Sequence, residues 1–313
     1  MSADRTPSAR VGVLDRPPPG DVLLIALGVS AVSTSAPLIR AAAAPAFAIA
    51  FWRNAMAAGV LAPWAWARSR DELRGLAARE RRLALWAGVL LALHFATWIP
   101  SLSFTSVASS TALVATQPVW AALVARWQGD RVPGLGWAGI WISVLGAALL
   151  TGIDLHFDAR ALGGDLLALV GGFFAAAYVT VGAEVRRSVT TTVYTTVCYA
   201  TCAVLLLALI AVTRTEFVGF DARTWACIAG LTVGAQLLGH SVFNRVLKTT
   251  SPTIVSISIL FEIVGATVLA ALFLDEWPRW QAAPAAALIV AGVVLVIRAG
   301  ERRPAIAGVP AVE

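Results

Sequence analysis

Residues 83–125 run for 43 positions without a lysine, arginine, aspartate or glutamate. A helix of about 20 apolar residues crosses roughly 30 Å of hydrocarbon, so this one run has the length of two crossings. Its natural break lies around residues 100–105, where Pro100, Ser101, Ser103 and Thr105 suit a short turn outside the hydrocarbon. Further charge-free runs cover 22–39, 132–153, 166–183, 188–213, 224–244 and 280–297. Two more are apolar except for one internal charge, Arg53 within 45–66 and Glu262 within 251–274. The expected fold is therefore all-α, a polytopic membrane protein of ten transmembrane helices at 22–39, 46–66, 83–102, 105–126, 133–152, 164–183, 190–213, 224–244, 251–273 and 280–298.

Composition removes the soluble alternative. Hydrophobic residues make up 58% of the chain and charged residues 13%, against about a quarter charged in soluble domains. A bundle of buried soluble helices needs polar outer faces on most of them, and those faces are missing. The first span is not expected to be a cleaved signal peptide, since no small-residue cleavage site followed by a polar mature domain comes after it. Residues 1–20, with Pro17, Pro18 and Pro19, and the tail 299–313 are expected to be disordered cytoplasmic segments. Cys198, Cys202 and Cys227 lie in apolar stretches without metal-like spacing and are expected to be small packing residues.

The net charge of +6 points first to nucleic acid, but one lysine and three histidines leave little for a phosphate-binding face, so no nucleic-acid partner is expected. Location explains the charge instead. With ten spans and both termini cytoplasmic, the inner segments carry 18 lysine and arginine residues, and the outer ones carry only Arg40, Arg160, Arg214, Arg223 and Arg279. This is the positive-inside pattern of a cytoplasmic-membrane protein, and the lipid of an anionic inner leaflet is the expected partner of the arginine-rich face.

An internal repeat divides the chain. Residues 105–130 align without a gap on 250–275, setting Ser106 on Ser251, Gln117 on Glu262 and Asp130 on Asp275. Pro133 then falls on Pro278, and Trp137 meets Trp280 after a small gap. Spans four and five thereby match spans nine and ten, giving units at 21–153 and 164–298. Five helices per unit is an odd number, so the two copies enter the membrane in opposite directions, the arrangement that alternating access needs.

Polar groups at membrane depth mark a candidate site. Glu262 is 11 residues beyond Ser251, about 17 Å along a helix and near the midplane. A charge there costs about 2.5–3.5 kcal/mol on insertion scales, so it faces the interior, pairs, or carries a proton. It is either a structural carboxylate bonded to neighbouring hydroxyls or a proton carrier reached by an inward cavity. Arg53, beside Asn54, either binds an anionic substrate group, bonds helix-end carbonyls or balances Glu262. His94, Gln117 and Gln236 reach similar depth, and Trp98, Trp120 and Tyr178 are expected to give the shared cavity aromatic walls. His240 and Asn244, four apart on one helical face, resemble half a metal site, but no third ligand is evident. An inner gate or a helix-packing bond is the expected role. The pairs Gly163–Gly164 and Gly171–Gly172 permit close helix approach or a bend. No Walker pattern, nucleophile elbow or cofactor fingerprint occurs, so neither a cofactor nor ATP-driven pumping by this chain is expected.

The stretch through Gly234, Gly239, His240, Asn244, Ser251, Pro252, Glu262, Leu274, Asp275 and Glu276 resembles the second repeat of EamA-type proteins in the drug/metabolite transporter superfamily. Residues 50–54, with Arg53 after an aromatic residue, are similar to the family's second span, and 165–177 to its sixth. The resemblance covers about 20–298. It implies ten helices in two inverted repeats, cytoplasmic termini, a central cavity and secondary transport of small solutes. Ile263 follows Glu262 where many members have proline, while Pro118 follows Gln117 in the first half. The ninth span is accordingly expected to be less obviously broken.

The leading functional expectation is a secondary transporter, a monomer or homodimer, exporting a small metabolite or amino acid by alternating access, with proton coupling optional. A membrane enzyme acting on lipid would need His, Asp, Glu or Ser clustered near one leaflet, whereas these residues scatter toward the midplane. A non-transporting scaffold would need large loops, and the only sizeable inner loop, 67–82, is 16 residues long.

Overall fold

Hydrocarbon offers no water to free peptide groups, so a chain with these apolar runs must close its backbone hydrogen bonds within helices. In the computed structural model, which describes residues 16–105, 110, 113–129, 131–151, 159–274 and 282–301, every regular element among the described residues is helical. They are α1 (Pro19–Val32), α2 (Ser35–Ala41), α3 (Ala46–Arg74), α4 (Ala78–Ser101), α5 (Gln117–Trp127), α6 (Gly134–Thr151) and α7 (Ala159–Val185). Then follow α8 (Thr191–Thr213), α9 (Ala222–Leu231), a π-helical segment (Thr232–His240), α10 (Ser241–Val246), α11 (Pro252–Ile259), α12 (Phe261–Leu274) and α13 (Ala282–Glu301).

Six stretches among the described residues are long and apolar enough to cross a membrane: Pro19–Ala41, Ala46–Arg74, Ala78–Ser101, Ala159–Val185, Thr191–Thr213 and Ala222–Val246. The other four expected spans fall on shorter or partly described helices, 105–126 on α5, 133–152 on α6, 251–273 on α11 and α12, and 280–298 on α13. Ser106, Asp130, Asp275, Glu276 and Trp280, with residues 1–15, 152–158 and 302–313, lie outside the described residues.

Several helices outrun their apolar segments. The second was expected to end at residue 66, yet α3 continues to Arg74, with a kink at Ser69 (φ −141°). Charge ends an apolar run without ending a helix, because helical hydrogen bonding continues equally well in water. The boundary is marked by side chains, with the guanidinium of Arg68 5.0 Å from the Trp64 ring centroid and that of Arg74 4.6 Å from Trp66. Tryptophan and arginine together suit the headgroup level.

The helices pack in pairs. α6 lies along α13, α4 against α7 and α8, α3 against α8, α1 against the π segment, and α5 against α7 and α11. Buried Ile49, Leu91, Phe95, Tyr194 and Tyr199 centre one core among the first four and the seventh to tenth helices. Ala122, Ile140, Ile254, Ile257 and Val296 form a second core among α5, α6, α11 and α13. Leu23, Val60, Trp127, Val204, Val212 and Leu272 are exposed, an apolar exterior suited to lipid.

Close approach at α4 and α7 depends on glycine. A Cβ on Gly171 would lie 3.0 Å from the Trp98 Cβ, and one on Gly164 2.8 Å from that of Phe104. Gly164, Gly171 and Gly172 therefore let α7 seat against its neighbours, whereas a Cβ on Gly163 would meet nothing within 4 Å, and α7 itself runs uninterrupted through them.

Three backbone irregularities were not foreseen. The first span turns at Ser33–Thr34 between α1 and α2. The eighth carries the π segment. The ninth, expected to be less obviously broken for want of proline at Ile263, breaks at Leu260. Hydrogen bonds from Leu260 N–H to the Ile257 carbonyl (3.1 Å) and from Ile263 N–H to the Leu260 carbonyl (3.2 Å) make the break. Such tight three-residue turns need no proline. In the repeat register Leu260 stands opposite Ala115, which also lies in a turn, immediately before α5.

Candidate functional site

Irregular backbone at membrane depth is tolerated where it is buried in protein or lines a cavity. Here four such stretches converge on one cavity of about 70 Å³. Val32 and Ser35 flank the first-span break, Ala115 and Gln117 the start of α5, Ile259 and Glu262 the ninth-span break, and Ala235 and His240 belong to the π segment. The straighter helices add Arg53 from α3, His94 and Trp98 from α4, Tyr178 from α7 and Asn244 from α10. The site is thus assembled from both repeat units read in the sequence.

Arg53 is 1% exposed, and its guanidinium lies 4.5 Å from the centroid of the Phe95 ring. Its Nε donates to Gln236 Oε1 at 2.9 Å, Gln236 Nε2 donates to Asn54 Oδ1 at 3.0 Å, and Asn54 Nδ2 donates to the Ala50 carbonyl at 2.8 Å. The direction of this relay is set at one end. A carbonyl only accepts, so Asn54 must present its amide nitrogen to Ala50 and its oxygen to Gln236. Gln236 in turn presents nitrogen to Asn54 and oxygen to Arg53. The arginine fork is therefore held both in rotation and in tilt. Its Nη1 and Nη2 are buried without a hydrogen-bond partner, as is Trp98 Nε1.

His94 Nδ1 lies 3.0 Å from the Gly171 carbonyl, and its ring stacks on Trp98 at 5.5 Å with a 12° interplanar angle. The carbonyl accepts only, which places a proton on Nδ1. Asn244 Nδ2 donates to the Tyr178 hydroxyl at 2.6 Å, and the Asn244 carbonyl accepts from Arg186 Nε at 2.9 Å. In the turn just beyond α7, burial pulls the Arg186 guanidinium below the usual arginine range. The His240 ring sits 5.8 Å from Phe95 and 6.2 Å from Tyr178. The Glu262 carbonyl accepts from the Ser33 hydroxyl at 3.4 Å, while its carboxylate makes no hydrogen bond or ion pair with another described residue.

Of the residues selected by depth, His94, Trp98, Gln117, Tyr178 and Glu262 line the cavity together with Arg53, His240 and Asn244. Gln236 and Asn54 stand behind the wall, orienting Arg53. Trp120 lies off the cavity, its Nε1 donating to Thr116 Oγ1 at 3.2 Å and its ring edge-on to Phe173 at 5.7 Å. Phe95, which carries the guanidinium on its face, escaped the sequence reading, although it follows His94 in the same depth band. Ser35 and Val32 also escaped it, because nothing in the sequence marks the break beside them.

The EamA-like transporter family model matches twice, over residues 19–152 and 162–298. An uncharacterized transporter of Archaeoglobus fulgidus is 24% identical over 253 residues, covering 80% of this chain and 86% of the relative. A solved crystal structure at 20% identity superposes with a TM-score of 0.76 over 90% of this chain and 98% of its own, a likeness of fold. The two family matches take in both runs of helices that contribute to the cavity, and the protein belongs to the EamA-like transporter family, within the drug/metabolite transporter superfamily.

Proposed function

We propose that this multi-pass membrane transporter is a secondary carrier of the cytoplasmic membrane that exports a small amphipathic metabolite or amino acid by alternating access. It comprises two inverted five-helix units, 21–153 and 164–298, with both termini in the cytoplasm. The observation that carries this reading is the cavity itself, where broken helices from both halves meet around polar side chains at membrane depth. The packing pairs support the symmetry. Counting helices by span, the pairs two with seven, four with nine and five with ten map onto themselves when the halves exchange, and one with eight maps onto three with six.

In proteoliposomes screened with amino acids, nucleosides, polyamines and aromatic solutes, a transported compound is expected to lose about tenfold or more in flux on substitution of His94, Gln117 or Glu262. Folding, followed by thermal unfolding in detergent, should be retained. Normal flux in all three variants would remove the cavity from the route. If Glu262 exchanges a proton during the cycle, the Glu262→Gln flux should also stop responding to an imposed pH gradient.

The orientation has its own test. Cys198, Cys202 and Cys227 are buried, so a thiol introduced at an exposed position can be labelled separately. Arg74→Cys is expected to react only from the cytoplasmic side and Glu216→Cys only from outside. Labelling of both from one side contradicts the alternation.

A further inference from the structure

We propose that Arg53 is the anchor for a single carboxylate on the transported solute, with the Trp98 indole N–H as an additional donor. The inference rests on the carrier reading and narrows it to a substrate class. An arginine has five N–H donors in a rigid fork. One of them is used by Gln236, and the four on Nη1 and Nη2 have no partner although the residue is 1% exposed. A buried charge without hydrogen-bonded compensation is costly, far more so than a neutral polar group. The stacked Phe95 covers a face of the fork, and ring contact supplies no acceptor for the in-plane N–H groups.

Trp98 Nε1 repeats the pattern on the same cavity. It is a donor only, buried, and without a partner. Three nitrogens that donate and cannot accept call for a ligand rich in acceptor oxygens. Two oxygens in a plane match the guanidinium fork as a bidentate pair, which is the geometry of a carboxylate. The relay from Ala50 through Asn54 and Gln236 fixes the fork before any ligand arrives, so little ordering is needed on binding.

Charge separates a carboxylate from a phosphate. Among the described residues lining the cavity Arg53 is the one guanidinium, and Glu262 lies on the same cavity. The single positive charge of Arg53 is balanced by a monoanion when Glu262 holds its proton, and a dianion exceeds it in either state of Glu262. A cavity of about 70 Å³ also favours the smaller group.

The test uses the full-length protein in detergent and 3-phenylpropionate and 3-phenylpropionamide, which differ only in the head group, with 3-phenylpropylamine and phenyl phosphate as cationic and dianionic aromatics, and phenylalanine and phenylalaninamide as a second matched pair. Carboxylates are expected to bind about tenfold or more tighter than their amides by thermal-shift titration. Phenyl phosphate should bind more weakly than the propionate. Arg53→Gln, which removes both the charge and the fork, should abolish the acid-over-amide preference. Should that variant fail to fold, the acid and amide comparison on the unaltered protein decides alone. Equal binding of acid and amide, tighter binding of the phosphate, or binding of no carboxylate overturns the proposal. Flux of the same probes separates the two readings. Movement of neutral or cationic probes without acid preference refutes the anchor and keeps the carrier, whereas acids that bind preferentially but never cross refute the carrier and keep the anchor.

Discussion

Gln236→Leu is expected to destabilise the protein by about 1.5–3 kcal/mol, the range for losing a hydrogen bond to a buried charged group. Leucine fills much of the glutamine volume, so the loss is electrostatic. Arg53 Nε would join Nη1 and Nη2 as unpartnered, and Asn54 Oδ1 would lose the donor that Gln236 supplies. Because the cost belongs to an uncompensated buried charge and not to missing volume, removing the charge as well should recover part of it. The double variant Arg53→Met with Gln236→Leu is expected to be more stable than Gln236→Leu alone, a coupling read from a double-mutant cycle of thermal unfolding in detergent. A double variant no more stable than the single one would show that Gln236 acts through packing. The same pair separates stability from recognition, since the double variant should fold and yet show no preference for carboxylates.

Much of the helix pattern is legible in the sequence because hydrocarbon imposes length and apolarity directly. The expected spans 164–183 and 190–213 correspond to α7 and α8, with no end off by more than about five residues. Depth is legible as well, since rise along a helix is nearly constant and His94, Gln117 and Glu262 reach one cavity. Rotation about the helix axis is not. Trp120 lies three residues beyond Gln117 yet meets Phe173, and Gln236 reaches the right depth but turns toward α3. In the eighth span the reason is the π segment, whose wider turn shifts every later side chain around the axis. The breaks at Ser33–Thr34 and Leu260 likewise have no proline within them. They depend on contacts between segments distant in sequence, such as Ser33 with the Glu262 carbonyl, and a local reading has no access to those contacts.

Gly292→Val tests whether packing outweighs helical propensity at the junction of α6 and α13. Propensity alone predicts a gain, because glycine inside a helix costs about 0.5–1 kcal/mol relative to alanine. The structure predicts a loss. A Cβ on Gly292 would lie 2.2 Å from Ser143 Oγ, 2.5 Å from the Gly139 carbonyl oxygen and 2.6 Å from the Ser143 backbone nitrogen. The hydroxyl can rotate away, but the two backbone atoms cannot, so the helices must separate along the whole contact. The facing glycine shows the same constraint, since a Cβ on Gly139 would lie 2.6 Å from the Gly292 carbonyl oxygen. Overpacking of this kind costs about 1–3 kcal/mol in well-packed interiors, and rigid backbone on the opposing side places Gly292→Val at the upper end, about 3 kcal/mol. In lipid the helices are held by close van der Waals contact more than by water exclusion, so lost contact is not replaced by burial elsewhere. Gly134→Ala, with nothing within 4 Å of the added Cβ at the start of α6, is the control and should leave unfolding unchanged. Neither α6 nor α13 contributes a residue to the cavity lining, so Gly292→Val should lower the unfolding temperature without altering the acid-over-amide preference of the protein that remains folded. A Gly292→Val protein as stable as the Gly134→Ala control would mean that α6 and α13 are not in the close contact that ties the fifth span to the tenth.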